Sequence, residues 1–558
     1  MKRALAALLL STALAFSACA QPGTTYRNPI IYADYSDPDV IRTGEDYWMT
    51  ASSFNCIPGL QILHSRNLVE WELVGAALPD GPETYWDKAA GTPVEWYGSF
   101  KLGAFEGITI EMAGDKEFSS RPVPDAAVQH GNGVWAPSIR YHDGLYWIFW
   151  GDPDYGIYQV HAADPCGEWS EPVRVIAGKG FIDPCPLWDD DGRVWLVHAW
   201  ANSRCGIKSV LHVCELNSDC TACISDQVRV FDGRENGQTT VEGPKFYKKD
   251  GWYWIFAPAG GVKTGWQIAM RSREVLGPYE YKVVMEQGAT DICGPHQGGW
   301  VTDTAGDDWF LHFEDRYAWG RVVHLQPMVW GGDGWPVIGE DSDGDGIGNP
   351  VAQWTRPASS GTAGFKGTGP TPPGKPGKVK PRYLSRRVRS AVPGGLLQRQ
   401  GAGEGTGSNL WNRPELELAK VEGPFMEISR VFTRAEVPEE GEIPIGDGRQ
   451  GIVVLGASYS TIEINDSCVV RKTNFRASKG GEEVVRDSVR IKGDKVWLRV
   501  IIREGTEMAG QQSPSDIPLI CDFQYCFDER HYTSLGPLFQ ASAGRWIGAK
   551  AGAFSLSH

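Results

Sequence analysis

After its first nineteen residues the chain has no run long and apolar enough to cross a bilayer as a helix. It is also short of positive charge. Lys and Arg total 54 against 69 Asp and Glu, a formal net charge of −15. That balance excludes the classes that bind nucleic acid by neutralising phosphates. An organised zinc site is missing too. Cys220-Thr-Ala-Cys223 has ligand spacing, and Cys205 and Cys214 lie near it, but no second close pair and no His in register accompany it. A disulfide within this cluster suits an exported chain better than a metal does. Of the 12 Cys, an odd number remains if Cys19 is set aside, so at least one thiol must stay free.

What is abundant points elsewhere. The 558 residues include 23 Trp, 19 Tyr and 68 Gly. Much Trp and Gly among short strand-like runs indicates an all-β protein, and clustered aromatics suit the flat faces of sugar rings. The length allows more than one domain.

Residues 1–19 read as a targeting segment. Lys2-Arg3 precedes an apolar stretch from Ala4 to Phe16 that is too short to span a bilayer. Its end, Phe16-Ser17-Ala18-Cys19, resembles a bacterial lipoprotein signal in which Cys19 carries the lipid. Phe16 stands where Leu is usual, so ordinary signal cleavage stays open. Either route predicts an exported protein, periplasmic or at the cell surface, attached to membrane only through Cys19.

Residues 32–54 hold a pattern that recurs along the chain. Asp37-Pro38 is a turn, Val40-Ile41 begins a strand, Thr43-Gly44-Glu45-Asp46 turns again, and Tyr47-Trp48-Met49-Thr50-Ala51 is an aromatic strand. Polar or Gly turns precede aromatic strands again at Tyr146-Trp147, Val194-Trp195, Tyr253-Trp254 and Trp309-Phe310. Their spacing is roughly fifty residues, the mark of propeller blades, and five markers predict five blades. The first interval is about twice as long, which places an insertion near 85–125 on the first blade.

Three carboxylates stand about a dozen residues ahead of a blade's marker. They are Asp37, Asp183 in Phe181-Ile-Asp-Pro184, and Glu242 in Val241-Glu-Gly-Pro244. Equivalent positions on three blades should face one central channel. Glycoside hydrolysis needs a proton donor and a base or nucleophile, and a third acid near the donor raises its pKa.

Asn28-Pro29, Asp37-Pro-Asp-Val40, His64-Ser-Arg-Asn-Leu-Val-Glu-Trp71, His130-Gly-Asn-Gly-Val-Trp-Ala-Pro-Ser138, Asp183-Pro184, Glu242-Gly-Pro244 and Gly294-Pro-His-Gln-Gly-Gly-Trp-Val301 form an ordered set. As a set they closely resemble glycoside hydrolase family 43 over about residues 26–340. The resemblance implies a five-bladed β-propeller and an inverting enzyme with β-xylosidase or α-L-arabinofuranosidase action on xylo- or arabino-oligosaccharides. By position it makes Asp37 the general base, Glu242 the general acid and Asp183 the pKa modulator. Base and acid should then lie roughly 6.5–9.5 Å apart, leaving room for a water.

Other pocket candidates come from the same likeness. Trp135 matches a subsite wall and Phe54 a residue that packs on the sugar; ordinary core packing explains either equally well. Arg321 resembles a substrate-contacting Arg, and a buried unpaired guanidinium would be costly elsewhere. His296 resembles a channel His that holds a calcium ion through water in some relatives, with a satisfied core His as the competing reading. No cofactor is otherwise implied. Asp341-Ser-Asp343-Gly-Asp345-Gly346 imitates a calcium loop, but its twelfth position is Ala352, not Glu, so it reads as a polar exit loop.

Residues 341–408 read as a linker or a disturbed segment. From 361 to 408 the chain is rich in Gly, Pro and basic residues within an otherwise acidic protein. It stands where relatives open a C-terminal β-sandwich with an acidic-aromatic segment and a Trp-rich strand, which raises the idea of a local reading-frame disturbance. Strand-like sequence resumes over 409–558 and resembles that sandwich. Two alternatives remain. A retaining five-bladed fructan hydrolase needs Arg-Asp-Pro where this chain has Ile182-Asp183-Pro184. A non-catalytic sugar-binding lipoprotein would lack an acid, and all three are present.

Overall fold

A computed structural model describes residues 24–82, 85, 128–358, 397–401, 404–405, 407–465, 467–506 and 513–556. Five antiparallel sheets of four strands succeed one another over residues 39–78, 135–177, 181–232, 245–285 and 296–338. Within each the strands pair in chain order, as short turns between aromatic and β-branched runs dictate. The first strands Asp39–Thr43, Trp135–His142, Phe181–Trp188 and Lys245–Lys249 follow one another in contact. His296–Thr302 of the fifth sheet packs on both the fourth sheet and Asp39–Thr43, which closes the ring. This is a five-bladed β-propeller. Trp48, Trp147, Trp195, Trp254 and Phe310, the five sequence markers, all lie buried on the second strand of their blades.

Thr25–Arg27 pairs antiparallel with Gln353–Thr355 beside the closed ring. The Asn28 amide reinforces the fastening, donating to the carbonyls of Leu325 (2.8 Å) and Val351 (2.7 Å). The insertion expected near 85–125 lies outside the described residues apart from Tyr85, whose ring packs on Trp150 and Tyr158.

The C-terminal part is a sandwich of a seven-stranded and a six-stranded sheet. Ile452, Val454 and Ile462 from one sheet meet Phe432, Leu498, Val500 and Phe523 from the other. Residues 341–408 are not linker throughout. Gln353–Thr355 belongs to the propeller, and Leu397–Arg399 is an edge strand of the seven-stranded sheet, paired with Glu417–Lys420. The remaining basic stretch, with its reading-frame question, falls mostly outside the described residues. No disulfide forms among the described cysteines. Cys205, Cys214 and Cys220 are instead thiols in the apolar core of the third blade, where a small hydrophobe is what packing requires.

The two parts are fused by shared packing. Ala318 and Trp319 of the fifth blade sit in the sandwich core, and the Ala549 N–H donates to the Ala318 carbonyl at 2.7 Å. Lys263 bridges Asp315 of the propeller (2.8 Å) and Asp516 of the sandwich. Ile57 and Arg399 exchange backbone hydrogen bonds.

Candidate active site

The turn that enters each first strand builds the site. Asp37, Ala136, Asp183, Gly243 and Gln297 occupy this turn in blades one to five, and all have positive φ: 56°, 30°, 56°, 61° and 33°. Four of them precede Pro (Pro38, Pro137, Pro184, Pro244). The fifth precedes Gly298, where an added Cβ would lie 1.7 Å from the Leu311 carbonyl oxygen. In blades two, three and five the ladder slips here, between Trp135 and Ser138, Ile182 and Cys185, and His296 and Gly298. Such bulges re-aim side chains, and left-handed non-Gly residues cluster where surrounding structure enforces them. In those three blades two consecutive residues line the cavity, Trp135 and Ala136, Ile182 and Asp183, and His296 and Gln297, while blades one and four contribute Asp37 and Glu242.

This geometry corrects one expectation. Spacing put Glu242 in the position equivalent to Asp183, but the backbone assigns that position to Gly243, and Glu242 stands one residue earlier beside Trp135, Ile182 and His296 of the other blades. The turns are nonetheless tied together, because the Gly243 N–H donates to Asp183 Oδ2 at 2.7 Å.

All seven residues singled out from the sequence line one cavity of about 120 Å³: Asp37, Phe54, Trp135, Asp183, Glu242, His296 and Arg321. Asp37 is buried. Its Oδ2 accepts from the Ser52 hydroxyl, whose oxygen accepts the Ala136 N–H at 2.7 Å. Arg321 Nη1 lies 3.5 Å from Asp37 Oδ1, while its Nε faces Asp315 at 3.7 Å. Glu242 is the more open acid, its side chain 28% exposed, and His296 Nε2 lies 3.0 Å from its Oε1. Asp183 is pushed well above the usual carboxylate range, first by burial and then by the neighbouring Glu242 carboxylate; the Gly243 N–H opposes the shift.

Phe54, with φ 51°, exchanges backbone hydrogen bonds with Val134 and meets Trp135 edge-on at 6.4 Å. Trp135 is anchored by its indole N–H on the Gly131 carbonyl at 2.9 Å.

Sequence reasoning missed Ser52 and Trp546. Trp546 lies between the sandwich strands Phe539–Gln540 and Lys550–Leu556, yet it lines the cavity. Its ring is 6.0 Å from Trp135, and the Arg321 guanidinium sits 5.9 Å from it. Gly131 permits the approach, since a Cβ there would come within 2.9 Å of Trp546 Cδ1. The available signal was a lone Trp in the Gly-bracketed turn Gly544-Arg-Trp-Ile-Gly548.

The calcium expectation rests on a thin donor set. His296 Nε2 is committed to Glu242, and its buried Nδ1 has no partner among the described residues. One imidazole nitrogen is not the oxygen cage calcium prefers. Asp341, Asp343 and Asp345 do gather their carboxylates within 4.8 Å of one another, but Asp341 accepts from the Gly344 and Gly346 N–H groups, as a tight turn requires.

Comparison with known proteins matches the model of "Glycosyl hydrolases family 43" to residues 26–100 and 115–336, more than half of the chain. A Xylanibacter ruminicola protein named as a candidate beta-xylosidase is 38% identical over 343 residues, 61% of this chain and 56% of its own length. A beta-xylosidase of Formosa agariphila is 24% identical over 95% of this chain and 87% of its own. A non-reducing end alpha-L-arabinofuranosidase of Bacteroides ovatus is 28% identical over 61% and 58%. The chain thus spans little more than half the length of two of these relatives. Among solved structures, a xylan beta-1,4-xylosidase from Bacillus halodurans superposes with a TM-score of 0.67 at 20% identity, covering 95% of this chain and 96% of that one. This likeness establishes the shared propeller-and-sandwich architecture.

Proposed function

Because the chain belongs to glycosyl hydrolase family 43, we propose that it removes terminal xylose or arabinose units from hemicellulose oligosaccharides by one inverting displacement. The observation that carries this reading is the meeting of Asp37, Asp183 and Glu242 in one small cavity, with Arg321 and Trp546 at its wall. The cavity suits a single pentose ring rather than a chain passing through, which favours exo-action.

In this mechanism Asp37 is the base. Ser52 fixes its orientation, and it takes a proton from the water that attacks the anomeric carbon. Glu242 is the acid. His296 donates to Glu242 Oε1, which leaves the other oxygen to deliver its proton to the departing glycosidic oxygen. Asp183, through its hydrogen bond from the Gly243 N–H, positions the turn that carries Glu242. Arg321 and the aromatic walls of Phe54, Trp135 and Trp546 hold the sugar. The enzyme works outside the cytoplasm, anchored through a lipid on Cys19, and Cys19→Ser should then abolish lipid labelling.

The test is turnover of nitrophenyl β-xyloside and α-arabinofuranoside, with proton NMR of the first anomer released. The inverted anomer is expected. A retained anomer would remove Asp37 as base, and no turnover of either glycoside would remove the substrate assignment.

A further inference from the structure

The propeller has a second cavity, at the mouth opposite the acids. Each first strand begins at the catalytic turn and runs away from it. The far ends of four of them wall a space of about 360 Å³, within the range of small-molecule sites. Tyr141 and His142 come from blade two, Trp188 from blade three, Tyr247 and Lys248 from blade four, and Trp300 from blade five. About five residues of strand, roughly 15–20 Å, separate the two ends. A ligand here would not touch Asp37 or Glu242.

The wall is aromatic, partly open and hydrogen-bond hungry. Tyr141 is 49% exposed, and Trp188 and Trp300 are half-buried. His142 stacks on Trp188 at 4.8 Å with the planes 11° apart, which fixes the indole. Among the described residues, the Tyr141 hydroxyl, the His142 ring nitrogens and the Trp188 N–H make no hydrogen bond. The charges, by contrast, are already matched. Arg140 pairs with Asp39 at 2.7 Å, and Lys248 with Asp189 and Asp190. Aromatic rings beside unpaired polar groups, with no unpaired charge, select a neutral ligand that offers both C–H faces and hydroxyls.

We propose that this cavity is a second glycan-binding site, which takes a neutral oligosaccharide and tethers the enzyme to its polymer while chain ends are processed at the other mouth. The choice of a xylose-based ligand rests on the proposed function; the site itself does not.

The experiment titrates xylohexaose into Glu242→Gln protein, which does not consume it, and into the same protein carrying Tyr141→Ala and Trp188→Ala. Two binding sites are expected in the first and one in the second. With Glu242 intact, the double variant should keep its nitrophenyl glycoside turnover while its rate on insoluble xylan falls about three-fold or more. If the double variant does not fold, as judged by near-UV circular dichroism, Tyr141→Ala alone serves, because that side chain is half exposed. A single site in Glu242→Gln protein, or two sites surviving the substitutions, would overturn the proposal. Failure of the function reading looks different: the parent would then turn over neither nitrophenyl glycoside. The same titration with cello- and fructo-oligosaccharides would in that case decide the second site by itself.

Discussion

Glu242 and His296 share one hydrogen bond across neighbouring blades, and in the proposed mechanism it divides the work of the acid between its two oxygens. Glu242→Gln keeps the contact and removes the proton. Its kcat/KM on natural oligosaccharides should fall by about 10²–10⁴, with a much smaller loss on dinitrophenyl glycosides, whose leaving groups need no protonation. Equal losses on both would take the acid role from Glu242. In the proposed mechanism Asp183 supports the acid through the turn that carries it. Asp183→Asn removes the buried carboxyl that folding holds well above its ordinary range, so the alkaline limb of the pH–rate profile should move toward lower pH. An unmoved limb would reduce Asp183 to a structural hydrogen-bond acceptor for Gly243.

The entry turn and the Gly544–Gly548 turn are the elements that place these residues, and the two differed in how far they could be read. Asp37-Pro38 and Asp183-Pro184 announce the first because Asp-Pro marks a turn, although both Asp take φ 56° rather than the extended shape favoured before Pro, and the aromatic strand after each gives the blade count. Glu242 lines the cavity although its register is off by one: Leu187 pairs with Trp195 but Tyr247 with Trp254, so the first hairpin of blade three carries one residue more than that of blade four, and equal spacing to the marker names positions one residue apart. Trp546 was out of reach for a different reason. Its role depends on how the sandwich docks, which no local pattern encodes, and the strand Gln353–Thr355 is too short to carry a period of its own. Trp546→Ala should raise KM for oligosaccharides and lower kcat/KM about 3- to 10-fold, the worth of one aromatic wall. Because Trp546 is 47% exposed, the melting temperature should hold. Unchanged kinetics would place Trp546 outside the substrate path.

At the scale of the molecule, burial of neutral histidines sets the response to acid. His130, stacked on Trp411 at 3.6 Å between the two domains, is pushed down to about 3 by burial, as is His312; His198 and His324 are lowered for the same reason. Unfolded, each takes up a proton below about 6.5. Their stabilising effect is therefore complete above that pH and is lost as pH falls toward the folded values, with a slope of up to about 1.4 kcal/mol per pH unit for each. Asp183, raised on folding, has the opposite sign, since it destabilises as pH climbs past its unfolded value. With His161 lowered as well, five histidines stand against Asp183, Asp154 and His531, which are raised, so calorimetric melting temperatures should drop from pH 7 to pH 5. A flat profile would show that these histidines are already charged in the fold.

Trp319 belongs by sequence to the propeller and by packing to the sandwich. That single placement bears on how such a protein can be inherited. A gene fusion that exchanged the C-terminal sandwich for an unrelated module would strand an indole in water and strip Trp546 from the candidate site in one step. The two domains are therefore poor candidates for shuffling. Their histories should run in parallel, and grafts between relatives should succeed only when the cut is made outside this joint core.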